Sequence, residues 1–161
     1  MNYKIRKISD INVALLNEFY KAAYPNRYNN LNNHWRWYYR MGYNNFEPII
    51  IEVNSKIIGI AGLISSKLKY CNKVSEAIWF TDFFILKEFR NKGYGLKLIN
   101  HLIKEAKKLN IVKLSLETGA GNFFQDARKL FIECGFETCD PFSHYKIDAN
   151  SIYMTMLISN K

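Results

Sequence analysis

Cysteine is scarce in this chain. Cys71, Cys134 and Cys139 are the only three in 161 residues, an odd, irregularly spaced set with no CxxC. That argues against a disulfide framework or a zinc site and leaves reduced, buried or half-buried thiols, with no metal expected. Long hydrophobic runs are missing too. None reaches the roughly 18 to 20 residues that span a bilayer, and Met1 to Lys7 leads into no apolar leader, so a soluble, cytoplasmic protein without membrane contact is expected. The chain shows no internal repeat and no linker, and its length suits one domain over residues 1–161. Acidic residues are in short supply: 14 Asp and Glu stand against 23 Lys and Arg, a formal charge of +9. An excess of that sign suits nucleic acid, a membrane surface or an anionic ligand. Apolar and aromatic residues are plentiful, at 48% and 16%, which argues against disorder.

The stretch from Phe80 to Leu109 organises the rest. Phe80 to Leu86 is apolar at nearly every position, the pattern of a strand covered on both faces, with Asp82 as the exception. From Gly95 onward Leu96, Ile99, Leu102, Ile103, Ala106 and Leu109 recur at helical spacing, opposite Lys97, Asn100, Lys104, Glu105, Lys107 and Lys108. This predicts a helix of about four turns with one face on a sheet. Between strand and helix lies Arg90-Asn91-Lys92-Gly93-Tyr94-Gly95, where the densest basic groups also sit. A glycine-bearing turn opening a helix gathers backbone N–H groups where the helix dipole is positive, which makes a seat for phosphate; otherwise it is mere connection. It is neither GxGxxG nor the phosphate loop ending in Lys-Ser/Thr, so dinucleotide and nucleoside triphosphate readings lack their fingerprint.

Along the chain, Tyr3 to Ile8 reads as a first strand. Ser9 or Asp10 is the expected N-cap of a helix carrying Val13, Leu15, Leu16, Phe19, Tyr20 and Ala23 and ended by Pro25. The Asn-rich stretch Asn26 to Asn33 reads as loop. His34 to Met41 is the densest aromatic block; Trp35, Tyr38 and Tyr39 either line a pocket or pack a helix on the sheet, and such a block can also stack single-stranded bases. Ile49 to Val53 and Lys56 to Ile64 flank Asn54-Ser55, a β-hairpin signal, and Gly59 and Gly62 suggest a bulge or close backbone approach. Ser65 to Lys73 reads as a polar loop, and the next strand begins near Glu76. Val112 to Glu117 alternates as a strand that a right-handed crossover would place parallel to the central one, opening a crevice at their carboxyl ends. Thr118 to Phe124 reads as loop, and Phe123 to Cys134 as an amphipathic helix closed by Gly135. Phe136 to Cys139 and Ile152 to Ile158 read as final strands.

Two motifs carry a family resemblance. Arg90-Asn91-Lys92-Gly93-Tyr94-Gly95 matches the Arg/Gln-x-x-Gly-x-Gly/Ala motif of the GNAT family of N-acetyltransferases. Ala127-Arg128-Lys129-Leu130-Phe131-Ile132-Glu133-Cys134-Gly135-Phe136 is similar to that family's Ala-x-x-Leu-Tyr-x-x-x-Gly-Phe helix end. The chain resembles the family clearly over Phe80 to Ile158. Glu117-Thr118-Gly119 and the loop Pro141 to Ser151 also resemble the Glu-Thr-Gly and Pro-Phe-x-x-Tyr-x-x-Asp-x-x-Ser of a bacterial subgroup, with a longer spacing from Glu117 to Phe131. The resemblance implies a mixed α/β fold: a mostly antiparallel central sheet with one splayed parallel strand pair and helices on both faces. It implies acetyl-CoA as cosubstrate, held at Ile85, Leu86 and Lys87 and by Arg90, Asn91, Lys92, Gly93, Tyr94 and Gly95, with Asn122 and Phe131 also on the coenzyme. The acceptor it implies is a primary amine of a small molecule (amino sugar, polyamine or amino acid) or of a peptide, attacking directly in a ternary complex. A homodimer is compatible with it.

Acetyl transfer to an amine needs a neutral nucleophile, a polarised carbonyl, reactants held together and a proton for the departing thiolate. Asp82 and Glu117 are the candidate bases; for each, the alternative is a structural acid satisfied by a nearby Arg, Lys or backbone group. Phe131 stands where many members of the family have Tyr, and a phenyl ring donates no proton. Either Tyr145, Tyr94 or a water serves the thiolate, or coenzyme A leaves unprotonated, or the domain binds without catalysing. Trp35, Tyr38 and His144 are the candidate acceptor-side residues. Three functions therefore stand side by side: an N-acetyltransferase, a coenzyme A-binding regulatory module, for which Phe131 speaks, and a basic nucleic-acid-binding domain, suggested by the charge and by the Trp35 to Arg40 block. An amino sugar would suit the aromatics better than a cationic acceptor, for which Asp82, Glu117, Glu47, Glu76 and Asp148 are the obvious acidic walls.

Overall fold

The computed structural model describes residues 2–39, 47–70, 72–109, 111, 113–142 and 145–158, with the side chains of 65–70, 73, 75–77 and 79 outside the description. Arg40, Met41, Cys71, Val112, Ser143 and His144, and the side chains of Glu76 and Trp79, thus lie outside the described residues. The fold is mixed α/β, with four α-helices and two antiparallel sheets among the described residues, distributed over two compact units, Met1–Leu98 and Ile99–Lys161.

In the first unit β1 (Tyr3–Lys7), β2 (Ile49–Val53), β3 (Lys56–Tyr70) and β4 (Lys73–Ile85) lie side by side in that order, each pair antiparallel. All five residues of β2 are buried, the reason it is apolar at every position but Glu52, whose carboxylate accepts from Arg6 Nη1 at 3.4 Å. Asn54 and Ser55 turn the β2–β3 hairpin with φ of 49° and 62°, the left-handed pair that matches strand twist in a two-residue turn. Two helices, α1 (Val13–Ala23) and α2 (Tyr28–Tyr38), contribute Leu16, Phe19, Tyr20, Leu31 and Trp35 to an apolar core shared with Ile50, Ile57, Ile60 and Leu86. Burying one such side chain contributes roughly 1.5–3 kcal/mol.

Three expectations are corrected in this unit. Neither Ser9 nor Asp10 caps α1: Ile8–Asp10 is a 3-10 turn whose groups are already engaged, Ser9 N–H with the Glu47 carboxylate at 3.0 Å and the Asp10 carbonyl with Arg6. Asn12 caps instead, its Oδ1 accepting from the Ala14 N–H at 2.8 Å. The Asn-rich stretch is not a loop, because α2 starts at Tyr28. Asn is a poor helix former, but Leu31 and Trp35, four residues apart on one helix face, are each only 4% exposed, and that burial overrides propensity. Nor is Ser65 to Lys73 a loop: the β3–β4 ladder runs without a break from Gly62↔Thr81 to Tyr70↔Lys73. Polar side chains do not prevent antiparallel pairing, in which each strand satisfies the other's backbone groups.

The helix α3 (Tyr94–Lys108) begins in the first unit and continues into the second. Its buried stripe is centred on Tyr94, Leu98, Ile99 and Ala106. Leu109, expected on that stripe, is exposed because it falls one residue past the last helical turn, while Leu98, which was not expected there, is fully buried.

The second unit holds β5 (Lys113–Gly119), α4 (Gln125–Glu133), β6 (Glu137–Cys139) and β7 (Ser151–Leu157), the strands in the order β5-β7-β6 and again antiparallel. Among the described residues every ladder is antiparallel, and β4 and β5 belong to different sheets. Where loop was expected before α4, Asn122–Phe124 form a 3-10 turn. Gly135, at φ 94°, ends α4 as its position in the sequence implies. The Phe136 N–H donates to the Phe131 carbonyl at 3.0 Å and the Gly135 N–H to the Ile132 carbonyl at 2.9 Å, the paired bonds of a Schellman ending. No helix among the described residues is long and apolar enough to cross a membrane.

Candidate active site

After β4 the chain makes a 3-10 turn, Lys87–Phe89, then bends through Asn91 at φ 57° and Gly93 at φ 75° into α3. Glycine is suited to position 93 by that left-handed φ alone: a Cβ there would meet nothing within 4 Å, so the turn is open on that side. The first i→i−4 bond of α3 runs from the Lys97 N–H to the Gly93 carbonyl at 3.1 Å. The Gly95 and Leu96 amides thus precede the helical ladder, at its positive end.

The two cations of the turn act as braces. Arg90 Nε donates to the Ile85 carbonyl at 2.9 Å, with its guanidinium 5.1 Å from the Phe84 ring centre. Lys92 Nζ donates to the Glu88 carbonyl at 2.9 Å and lies 5.6 Å from the Phe89 ring centre. Of the main-chain amides expected at the coenzyme, that of Leu86 is committed elsewhere, donating to the Ile58 carbonyl at 2.8 Å. By the alternation of an antiparallel ladder, the Ile85 N–H then points away from β3, along the outer edge of β4.

Asp82 stands on a bulge. The ladder passes from Ile60↔Phe84 to Gly62↔Thr81, so Asp82 and Phe83 together oppose the single residue Ala61, and Asp82 takes φ 48°. Gly62 had marked the bulge in the sequence, but the extra residue is on β4. What Gly62 provides is room: a Cβ there would come within 2.8 Å of Tyr39 Cε1. The Tyr39 hydroxyl donates to Asp82 Oδ2 at 3.1 Å, and Arg27 Nη1 lies 3.5 Å from Oδ1. The Asp82 side chain is 9% exposed and that of Arg27 50%. The Arg27 guanidinium lies 5.5 Å from the Tyr24 ring centre and 5.9 Å from that of Tyr38. Partial burial works against its charge, but Asp82 and Tyr38 outweigh burial and hold Arg27 protonated more firmly than usual. Burial, reinforced by the Asp82 charge, pushes the hydroxyls of Tyr20, Tyr24 and Tyr39 far up, so all three are neutral at pH 7.

The remaining expected site residues fall as follows. Trp35 is a core residue with the Arg36 guanidinium 4.7 Å over its ring, and Tyr38 is half-buried with its ring 4.9 Å from that of Tyr39. In the second unit, Glu117 Oε1 accepts the Ser151 hydroxyl at 2.7 Å, and Asp148 Oδ2 lies 3.2 Å from the same oxygen. Tyr145 packs between Phe142 and Tyr153, each ring centre 5.5 Å away, and burial together with the Glu117 charge raises the pKa of its hydroxyl. Phe131 is buried with its ring 5.7 Å from Phe136, the side-chain contact that accompanies the Schellman ending, and Asn122 is exposed on its 3-10 turn. His144 lies outside the described residues.

The structure thus gathers Tyr38 and Asp82 around Arg27, ties Arg90 to Ile85, and sets Glu117 near Tyr145. Sequence reasoning missed Tyr24, Arg27 and Tyr39 as neighbours of Asp82, and Ser151 as the partner of Glu117. Ser151 had a signal, being the last residue of the Pro141 to Ser151 motif. Arg27 had none, standing 55 residues from Asp82 in a stretch read as loop.

A family model described as "Acetyltransferase (GNAT) family" matches residues 12–136. The uncharacterized N-acetyltransferase YsnE of Bacillus subtilis is 45% identical over 64 residues, 40% of this chain and 42% of that protein. The match therefore spans less than half the length of that curated relative. The ribosomal-protein-S18-alanine N-acetyltransferase of Escherichia coli shares the fold with a TM-score of 0.65 and 17% identity, over 99% of this chain and 96% of that one. Arabidopsis thaliana Naa50, solved with the bisubstrate analogue CoA-Ac-MVNAL, does so with a TM-score of 0.68 and 20% identity, over 96% of this chain and 97% of its own. With the family model covering well over half of its residues, including the glycine turn and the helix end at Gly135, the chain belongs to the GNAT family of acetyltransferases.

Proposed function

We propose that the protein transfers an acetyl group from acetyl-CoA to a primary amine of a small molecule or peptide, by direct attack in a ternary complex. One observation carries the reading: a strand with a bulge at Asp82 leads into a turn that is open at Gly93 and opens α3, whose Gly95 and Leu96 amides precede its first i→i−4 bond. The coenzyme's phosphates seat on those amides, and its pantetheine arm pairs with the outer edge of β4 at Ile85. Main-chain contacts of this kind are marked by glycines, not by a fixed set of side chains.

Asp82 takes a proton from the acceptor's ammonium, and the neutral amine attacks the thioester carbonyl. The new C–N bond forms a tetrahedral intermediate whose nitrogen still carries an extra proton; as the C–S bond breaks, that proton passes to the departing thiolate, directly or through a water, leaving the amide and the free coenzyme A thiol. Holding both reactants in one geometry supplies roughly 7–11 kcal/mol of the barrier when alignment is good.

The test is release of free coenzyme A thiol from acetyl-CoA over a panel of primary amines, with wild type, Asp82→Asn and Glu117→Gln. Turnover that falls about 100-fold or more in Asp82→Asn, and much less in Glu117→Gln, is the expected result. The opposite ranking would make Glu117 the base. Coenzyme binding without transfer to any amine would leave the regulatory module that Phe131, in place of Tyr, favours. Absence of both would end the acetyltransferase reading.

A further inference from the structure

We infer that the Arg27–Asp82 pair recognises an acceptor that carries a carboxylate beside its amine, a free α-amino acid. The inference rests on the acetyltransferase reading for the fate of the amine, and on the geometry of the first unit for everything else. Asp82 is the buried half of the pair and Arg27 the half that faces solvent, with side-chain exposures of 9% and 50%. A guanidinium is a planar fork of N–H donors; Nη1 meets Asp82 at 3.5 Å and Tyr38 takes a further hydrogen bond, which still leaves part of the fork for another partner. Tyr24 and Tyr38 hold the group by their ring faces, so it is set in place before any ligand arrives.

An amine that reaches the Asp82 carboxylate must come close to Arg27. A polyamine or amino sugar brings positive charge and nothing to offset the fixed guanidinium. An α-amino acid brings its two charges in the matching order, ammonium toward Asp82 and carboxylate toward Arg27, where a fork-on-carboxylate contact is available. The carboxyl of the first residue of a peptide is tied up in an amide and has no charge to offer. The same pair therefore selects a free amino acid over a peptide N-terminus.

The experiment titrates each proteinogenic amino acid, its carboxamide, phenethylamine and spermidine into the protein loaded with coenzyme A, by calorimetry. It then measures thiol release from acetyl-CoA with the same panel. At least one amino acid should bind about tenfold or more tightly than its own carboxamide, the step that one charge-assisted contact supplies. Arg27→Gln should abolish that preference and Arg27→Lys keep part of it. Because Arg27→Gln also removes a partner of Asp82, turnover should fall for every amine; the acid-to-amide ratio isolates recognition from that loss. Carboxamides or plain amines binding as well as the acids would overturn the inference, as would a preference that survives Arg27→Gln or a panel with no binder. Retained preference with no thiol release would refute the acetyltransferase reading and leave the recognition site standing.

Discussion

Gly62→Ala tests the packing that holds Asp82. An added Cβ would stand 2.7 Å from the Thr81 carbonyl oxygen, 2.8 Å from Tyr39 Cε1 and 3.1 Å from Thr81 Cγ2, where ordinary contact is 3.4–4 Å. Thr81 is the ladder partner of Gly62, so its oxygen cannot retreat without opening β3 from β4 beside the bulge, and the Tyr39 ring is fully buried. Overpacking of this kind costs about 1–3 kcal/mol, and the stiffer unfolded chain of an alanine variant returns about 0.4–1 kcal/mol. The net loss is about 1–2 kcal/mol, or a fall in Tm of about 3–6 °C for a chain of this size. Because one of the three close contacts is with the ring whose hydroxyl holds Asp82, turnover should fall as well, at temperatures where the variant is still folded. Thermal unfolding by circular dichroism reads the first effect, with Gly121→Ala as control: nothing lies within 4 Å of a Cβ there, and its φ is −61°, so its Tm should match wild type or rise slightly. A Gly62→Ala variant as stable as wild type would refute the placement of Tyr39 against β3, and the Tyr39–Asp82 bond with it.

Three further outcomes are expected. Gly93→Glu should weaken coenzyme A binding by calorimetry about tenfold or more, by putting a carboxylate where the proposed site seats phosphate; Gly93→Ala shares the left-handed strain of about 1–2 kcal/mol without the charge, and equal affinities for the two variants would remove the turn from the site. Asn12→Ala should lower Tm by about 2–4 °C through loss of the α1 cap, worth about 1 kcal/mol; no change would mean the Asn12–Ala14 bond contributes nothing. Burial, aided by Glu133, pushes the Cys134 thiol up to about 11, so at pH 8 its thiolate is about 100-fold scarcer than that of an ordinary thiol. Alkylation of Cys134, followed by peptide mass spectrometry, should be slow at pH 8 and quicken as pH rises toward 11; labelling at the rate of a free thiol would contradict its burial.

The features legible in the sequence are those whose causes lie within a few residues. Asn54-Ser55 announces its hairpin because a two-residue turn needs left-handed φ at both positions, and Gly135 announces the end of α4 because a Schellman ending needs it once. The Arg90 to Gly95 turn belongs to the same class, with its glycine at φ 75° and a helix directly after it. Periodicity located α3 but set its stripe slightly wrong, since Leu98 and Leu109 are alike in hydrophobicity and only the end of the helix at Lys108 separates them. The continuation of β3 through Ser65 to Tyr70 had no local cause to read, because what extends that strand is a partner across the hairpin.

Asp82 shows how far a local anomaly can be followed. An acid in an apolar strand signals that something beyond packing is happening there, but sequence alone cannot say what pairs with it. The answer lies in α1 and α2 and the turn between them, the segment that reads as least structured. Tyr24, Arg27 and Tyr39 surround Asp82 from a stretch whose asparagines favour coil, and the helix that begins at Tyr28 exists because Leu31 and Trp35 are buried, not because its residues prefer helix. A guanidinium brought to the carboxylate in this way is conditional on packing, so changes in the core beneath α2 should reach the acceptor side of the site before they reach the glycine turn. The turn's conformation depends on residues inside it: Gly93 by its φ, Arg90 and Lys92 by their bonds to Ile85 and Glu88. In the proposed function coenzyme recognition is thereby written locally and acceptor recognition tertiarily, and for that reason the sequence disclosed the turn far more readily than the partners of Asp82.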